Sequence, residues 1–313
     1  MTDRPLLSVV SPVFGAERIL PELVRRIVAA LQPLGTFEIV LVDDRSRDNG
    51  WLRIVEQSRM HPEVRGVRLS RNSGQHAAIA AGLAESRGEY VVVMDCDLQD
   101  DPSEIPRLLA AARDGHDVVL TEHAQRKHAW YRNIGAQCYM RLIALLTTDD
   151  AETIGRGSYS LLTRKVVDGY NRIGDTHAHY LVNIKYLGFE QTRVVVQHHP
   201  RFEGRSTYSF GRLLRHAVDG IVANSVRLLN LVVVAGLVLF GLSVLGVITL
   251  IVSYFVRGAL AGFTSLMVVF LLMTGAVLCS VGVVGIYVGR IFEQSRGRPR
   301  YFVDQRVGGG ADQ

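Results

Sequence analysis

Residues 228–289 carry one charged side chain, Arg257, and this limits the architecture more than any other feature. Leu228–Val256 is 29 residues without a charge, and Gly258–Gly289 is 32. A spanning helix needs about 20 predominantly apolar residues. Each stretch therefore reads as one transmembrane helix, and the tight connection around Arg257–Ala261 makes the two a hairpin. Arg212, Arg215 and Arg227 precede the first span; Arg290, Arg296, Arg298 and Arg300 follow the second. Positive charge at both outer ends predicts that both ends lie on the cytoplasmic side of an inner membrane. Just upstream, Leu213, Leu214, Ala217, Val218, Ile221 and Val222 recur at helical spacing, with Arg212, Arg215, His216 and Asp219 between them. That pattern fits an amphipathic helix lying on the membrane surface; an ordinary packed helix has the same spacing. The expected organisation is a soluble cytoplasmic domain over 1–208, a surface helix over 209–227, two spans over 228–289 and a basic cytoplasmic tail over 290–313.

Outside the spans about a quarter of the residues are charged, as in ordinary soluble domains. The first 220 residues have enough apolar mass for a real core, which excludes a disordered or fibrous chain. Cysteines at 96, 138 and 279 form no paired spacing, which argues against a disulfide scaffold or structural zinc and for reduced thiols facing the cytoplasm. Met1–Phe14 has no basic segment leading into an apolar one, so no secretion signal is expected. The net charge is +5, but the arginines cluster beside the spans. Anionic lipid is therefore the simpler partner, and nucleic acid is not expected.

Apolar runs at Leu6–Val13, Phe37–Val42, Val64–Leu69, Tyr90–Met94 and Asp117–Leu120 read as strands. Helical patterns lie between them at Glu17–Leu31, Asp48–Arg59, Gln75–Glu85 and Pro102–Arg113, the last started by Asp101 as N-cap and ended near Gly115. This alternation predicts an α/β fold with a mostly parallel sheet, whose ligands bind beyond the carboxyl ends of the strands. Four of those ends carry polar or acidic loops. Asp95-x-Asp97 leaves its strand with alternate residues pointing one way, so both carboxylates can face one spot. Gln99 can add an amide oxygen. Such hard oxygen ligands with open positions suit Mg²⁺ or Mn²⁺ held jointly with phosphates. Asp43-Asp44 can accept from a nucleobase N–H and a ribose hydroxyl, and Gly74 at a helix start permits close approach of an anion. These features describe a site for a nucleotide diphosphate and a metal. There is no GxxxxGK[ST] and no HExxH, Gly155-Arg156-Gly157 is too short for a dinucleotide fingerprint, and His177, His179, His198 and His199 lack companion ligands.

Four motifs together resemble family 2 glycosyltransferases of the GT-A fold. They are Ser11-Pro12-Val13, Val42-Asp43-Asp44-x-Ser46, Leu69-Ser70-Arg71-Asn72-x-Gly74-Gln75-His76 and Met94-Asp95-x-Asp97-Leu98-Gln99-Asp100-x-Pro102. Arg201-x-x-Gly204-x-Ser206-x-Tyr208, Gly285-Ile286-Tyr287-Val288-Gly289-Arg290 and Arg298-Pro299-Arg300-Tyr301-Phe302 extend the resemblance to polyprenyl-phosphate glycosyltransferases. These include dolichyl-phosphate mannose synthase, bactoprenol glucosyltransferase and undecaprenyl-phosphate aminoarabinose transferase. The resemblance implies inverting transfer of a sugar from a nucleotide diphosphate to a membrane lipid phosphate, such as undecaprenyl phosphate, on the cytoplasmic face. It implies donor binding by Pro12, Glu17, Asp43, Asp44, Arg71, Asn72, Gly74, Gln75 and Asp95, and metal binding by Asp95, Asp97 and Gln99. Arg126, Arg132, Arg201, Ser206 and Tyr208 would attend the acceptor phosphate, and Asp95, Asp97 and Arg201 would carry the chemistry. Lys127 sits among the same basic residues; Arg126 and Lys127 equally fit a solvated turn.

The chain departs from the family pattern twice. Phe14-Gly15-Ala16-Glu17 stands where relatives have Tyr-Asn-Glu-Glu. In Arg156-Gly157-Ser158-Tyr159-Ser160, Ser158 stands where relatives have an aspartate considered a catalytic base. A lipid monophosphate has a second pKa near ~6 and is mostly dianionic at neutral pH, so it can attack without a base, whereas a hydroxyl acceptor would want one. Catalysis would then rest on positioning and on metal stabilisation of the leaving diphosphate. Two other readings remain, a transferase acting on a sugar hydroxyl and an idle nucleotide-sugar binder. A processive synthase would need more spans and a QxxRW sequence. UDP is favoured over GDP, and the sugar is not readable. Gly236, Gly241, Gly246, Gly282 and Gly285 would let hairpins of several copies pack into a homo-oligomer.

Overall fold

A computed structural model of the chain describes residues 4–123, 157–173, 179–196 and 262–309, with scattered positions between 234 and 256. Its sheet has eight strands: β1 Leu7–Val13, β2 Phe37–Asp43, β3 Val64–Leu69, β4 Tyr90–Val93, β5 Val118–His123, β6 Ser160–Thr163, β7 Gln191–Val196 and β8 Val303–Val307. They run in the order β7-β5-β6-β4-β1-β2-β3-β8. β1 pairs in parallel with β2 and β4, β2 with β3, and β5 with β7. β6 is antiparallel to β4 and β5, and β8 to β3. The expected α/β, mostly parallel sheet is present, and the apolar runs at its centre are its first four strands.

β1 is buried at every residue, the mark of a strand covered on both faces. Along β2, Ile39 and Leu41 enter one core layer while Val40 and Val42 enter the other, as the two-residue period of a strand requires. The first layer is filled by α1 Leu20–Leu31, α2 Gly50–Met60 and α4 Ile105–Arg113; the second by α3 Gln75–Glu85, α5 Arg164–Asn171 and α6 Tyr180–Tyr186. In α1, Pro21 sits in the first turn and Leu20, Leu23, Val24, Ile27 and Leu31 are buried, a single apolar stripe at helical spacing. Burying each such side chain stabilises by about 1.5–3 kcal/mol. α3 lies so close to the sheet that a Cβ on Gly82 would collide with Val10. One turn of 3-10 helix, Pro102–Glu104, leads into α4, and the Asp101 carboxylate caps it by accepting from Ser103 N at 2.9 Å.

The expected basic tail over 290–313 differs in the structure, because Val303–Val307 of that stretch is a sheet strand, with Gly66 opposite Val307 and Arg68 opposite Gln305. Its three central residues are polar and exposed, so no apolar alternation announces it. The open edge of β3 supplies the pairing. The stretch 209–227 lies outside the described residues, and 228–256 is described only at scattered positions, all helical. A seventh helix, α7, runs over Phe263–Ser295, 33 residues, and belongs to a different compact unit from the sheet. Among the described residues no helix is long and apolar enough to cross a membrane.

Candidate active site

The parallel strands end together. Val13 lies opposite Asp43 and Val10 opposite Val93. Asp44 N donates to Val13 O at 2.9 Å and Met94 N to Val10 O at 3.1 Å. Beyond this rim is a cavity of about 340 Å³. Its wall brings together Pro12, Asp44, Asn72, Gly74, Gln75, Asp95 and Asp97, all expected at the site, with Val13, Phe14 and Cys96 between them.

Asp44 is buried and organises the loop into α3. Its two oxygens accept from Ser73 N at 2.7 Å and Gly74 N at 2.9 Å. Burial raises its pKa against the pull of those two amides. Gly74 has φ +91°, a conformation that would strain any residue with a Cβ. Asp43 is fully buried and absent from the wall. One oxygen accepts from Ser46 N at 3.0 Å; the other is 3.2 Å from Arg68 Nε, an ion pair without hydrogen-bond alignment. Of the two adjacent aspartates, only Asp44 faces the cavity.

Asp95 Oδ1 accepts from Gln75 Nε2 at 2.7 Å and from Ser158 Oγ at 2.6 Å. Asp97 Oδ1 accepts from Gln99 N at 3.1 Å. This tight turn puts Leu98 at φ +60°, a strain of order 1–3 kcal/mol for a residue with a Cβ, and the 2 % exposure of Leu98 supplies the burial that holds it. Asp95 N donates to Asp100 Oδ2 at 3.4 Å. Burial first, and then the charge of Asp95, push Asp100 up to about 7. Burial likewise pushes the Cys96 thiol up to about 12, which makes it an inert wall residue.

Glu17, Arg71 and Gln99 are not on the wall. Glu17 ties the loop after β1 to the start of α2: it accepts from Asn49 N and Asn49 Nδ2, both at 3.2 Å, and its own N donates to Asp48 Oδ2 at 3.0 Å. Gln99 contributes its backbone amide to the Asp97 turn. Arg71 is exposed. Arg126, Lys127, Arg132, Arg201, Ser206 and Tyr208 lie outside the described residues. Sequence reasoning missed the Ser158 contact to Asp95, the buried Asp100 and the place of Phe14 on the wall. The acidic string after β4 signals Asp100, but its burial has no signature in the sequence.

Among the described residues no cluster of three or more histidine, cysteine or acidic side chains could hold a metal ion by itself. Asp95 and Asp97, two carboxylates on one wall, fit Mg²⁺ or Mn²⁺, which are commonly held by one or two carboxylates plus substrate phosphates.

Residues 8–170, more than half of the chain, match the family described as Glycosyl transferase family 2. YkcC, an uncharacterized glycosyltransferase of Bacillus subtilis (strain 168), is 32% identical over 304 residues, covering 96% of this chain and 94% of that protein. Glucosyl-3-phosphoglycerate synthase from Mycobacterium tuberculosis, solved in complex with phosphoglyceric acid, superposes with a TM-score of 0.50 at 18% identity, over 70% of this chain and 79% of that one. This last likeness is one of fold alone. The family match, the relative spanning nearly the whole sequence and the shared sheet lead to one conclusion: the chain is a glycosyltransferase of family 2, with the α/β, mostly parallel sheet of the GT-A fold.

Proposed function

We propose that the protein is a membrane-anchored, inverting glycosyltransferase. It takes a sugar from a nucleotide diphosphate, UDP before GDP, and transfers it to a polyprenyl phosphate such as undecaprenyl phosphate on the cytoplasmic face of the inner membrane, for cell-envelope glycan synthesis or modification. The observation that carries the donor half is the convergence of Asp44, Gly74, Asp95 and Asp97 on one cavity at the carboxyl ends of parallel strands. Asp44 holds the Ser73-Gly74 amides in place, which shapes the nucleoside side of the wall. Phe14, 53 % exposed on that wall, offers an aromatic face to a base. Gln75 and Ser158 hold Asp95. A Mg²⁺ or Mn²⁺ ion bound by Asp95 and Asp97 would supply positive charge to the departing diphosphate.

The acceptor half rests on chemistry and on the anchor. Ser158 is neutral, so an acceptor that brings its own negative oxygen suits this site better than a hydroxyl. A phosphate oxygen attacks the anomeric carbon as the bond to the diphosphate breaks, and a single displacement inverts the centre. Membrane attachment is supported by the two uncharged stretches and by α7, whose 33 residues span about 50 Å at 1.5 Å per residue, against about 30 Å of hydrocarbon. Leu266, Phe270, Val277, Leu278, Val281 and Val284 are exposed along it, and an apolar face of that extent calls for a cover of lipid or protein. Close packing at its glycines would let copies self-associate.

The test is a panel of labelled nucleotide sugars given to the purified protein with polyprenyl phosphate and Mn²⁺ or Mg²⁺. Label in the lipid fraction, released by mild acid, is the expected result. Label found only on a free or lipid-linked glycan hydroxyl would contradict the acceptor assignment.

A further inference from the structure

We propose that Ser158 is a positioning residue for Asp95, so that position 158 serves the donor half of the site and supplies no base to the acceptor. The inference rests on the reading of Asp95 as a carboxylate for metal and donor. Ser158 is buried, 7 % exposed, and its hydroxyl proton points at Asp95 Oδ1 across 2.6 Å. Gln75 Nε2 reaches the same oxygen at 2.7 Å. Two neutral donors on one oxygen define the rotation of the carboxylate, as outer partners do for metal-binding side chains.

The serine is itself held. Its carbonyl accepts from Ser160 Oγ at 2.9 Å, and Ser160 Oγ lies 2.8 Å from Tyr180 Oη. The next residue, Tyr159, is 1 % exposed and donates its hydroxyl to Asp101 O at 2.9 Å. The entry to β6 is thus bolted to the loop over 95–101 at two points, Ser158 to Asp95 and Tyr159 to Asp101. A hydroxyl whose only proton is committed to a carboxylate acts as a donor toward it, and its own oxygen is too weakly basic to serve as a base at neutral pH. An aspartate in its place would set two carboxylates in contact, which disfavours having both charged.

The experiment measures Mn²⁺ affinity by electron paramagnetic resonance in the presence of UDP, UDP affinity by calorimetry in chelator, and Tm, on the full chain. Ser158→Ala should weaken Mn²⁺ binding about 10- to 100-fold. Turnover should recover toward wild type as Mn²⁺ is raised, while UDP affinity in chelator and Tm stay close to wild type. Ser158→Cys, of similar volume but a weak donor, should share the defect and keeps the test open if the alanine variant fails to fold. Ser158→Thr, which keeps the hydroxyl, should restore affinity to within a few-fold of wild type. Ser158→Asp should turn over more slowly than wild type. Unchanged Mn²⁺ affinity in both the alanine and cysteine variants, or faster turnover in the aspartate variant, would overturn the role of Ser158 alone. Wild-type protein that binds no Mn²⁺ with UDP would overturn the donor-site reading together with it.

Discussion

Glu38 at the amino rim of the central sheet and Asp44 at the carboxyl rim are both buried and are held in different ways. At the amino ends of the strands, Glu38 accepts from Ser8 Oγ and Arg87 N, both at 2.6 Å, and from Arg65 Nη1 at 3.0 Å. Arg65 also reaches the carbonyl of Glu85 at 2.8 Å, and Arg306 of β8 closes on Glu85 Oε1 at 2.7 Å. Charge is neutralised there within the chain. At the carboxyl ends, Asp44 accepts from two backbone amides, Asp95 accepts from the Gln75 side-chain amide and the Ser158 hydroxyl, and Asp43 lies 3.2 Å from Arg68 Nε. A buried ion pair hurts most when one partner is removed; an oriented cluster of acids is suited to a cation from outside. On the proposed function, one rim serves stability and the other the reaction.

Breaking that division gives graded outcomes. Arg65→Met leaves Glu38 buried without its cation, and stability should fall by about 3–5 kcal/mol, read by urea unfolding, with turnover per folded molecule little changed. Asp97→Asn should do the reverse. Turnover drops about 10²- to 10³-fold, in the range of losing one electrostatic group at a reaction centre, while Tm holds or rises.

Protons probe the ground just behind the carboxyl rim. His76 and His179 pack against each other with ring centroids 4.0 Å apart and planes tilted by 53°, and burial first, then His76, lower His179 to about 4. The unfolded value is near 6.5, so the unfolded state binds the extra proton. Stability is therefore full above about pH 6.5 and declines as pH falls toward 4, by about 3 kcal/mol from His179. Tm measured from pH 7.5 to 4.5 should fall, and His179→Gln should flatten the fall; a parallel curve in that variant would remove the pair as the cause. The smallest effect belongs to Asp304 of β8, 2.6 Å from Arg45 with both side chains well exposed. Asp304→Asn should change stability by less than about 1 kcal/mol and leave Tm within a few degrees.

The functional rim was the more legible of the two. Long apolar runs mark β1 to β4, and the parallel alternation says which ends carry the site. Pro12, Asn72, Gly74, Gln75, Asp95 and Asp97 all reach the wall. The pair Asp43-Asp44 shows where such reading stops. Adjacent residues at a strand end point to opposite faces, so one of the two had to turn inward, and the inward one is Asp43, beside Arg68. Glu17 ties the loop after β1 to Asn49, and the backbone amide of Gln99 closes the Asp97 turn. The amino-end network was invisible because its members lie far apart in the chain: Ser8, Glu38, Arg65, Glu85 and Arg306 meet only in the fold. Ser158 and Asp95, 63 residues apart, escape for the same reason. β8 escapes because three of its five residues are polar.

Diffraction from crystals grown with Mn²⁺ and UDP, recorded with anomalous scattering at the manganese edge, tests the central claim most directly. The account predicts one strong manganese peak within coordination distance of carboxylate oxygens of Asp95 and Asp97, and touching the diphosphate. A peak elsewhere on the protein, or UDP bound in this cavity with no manganese beside it, would contradict it.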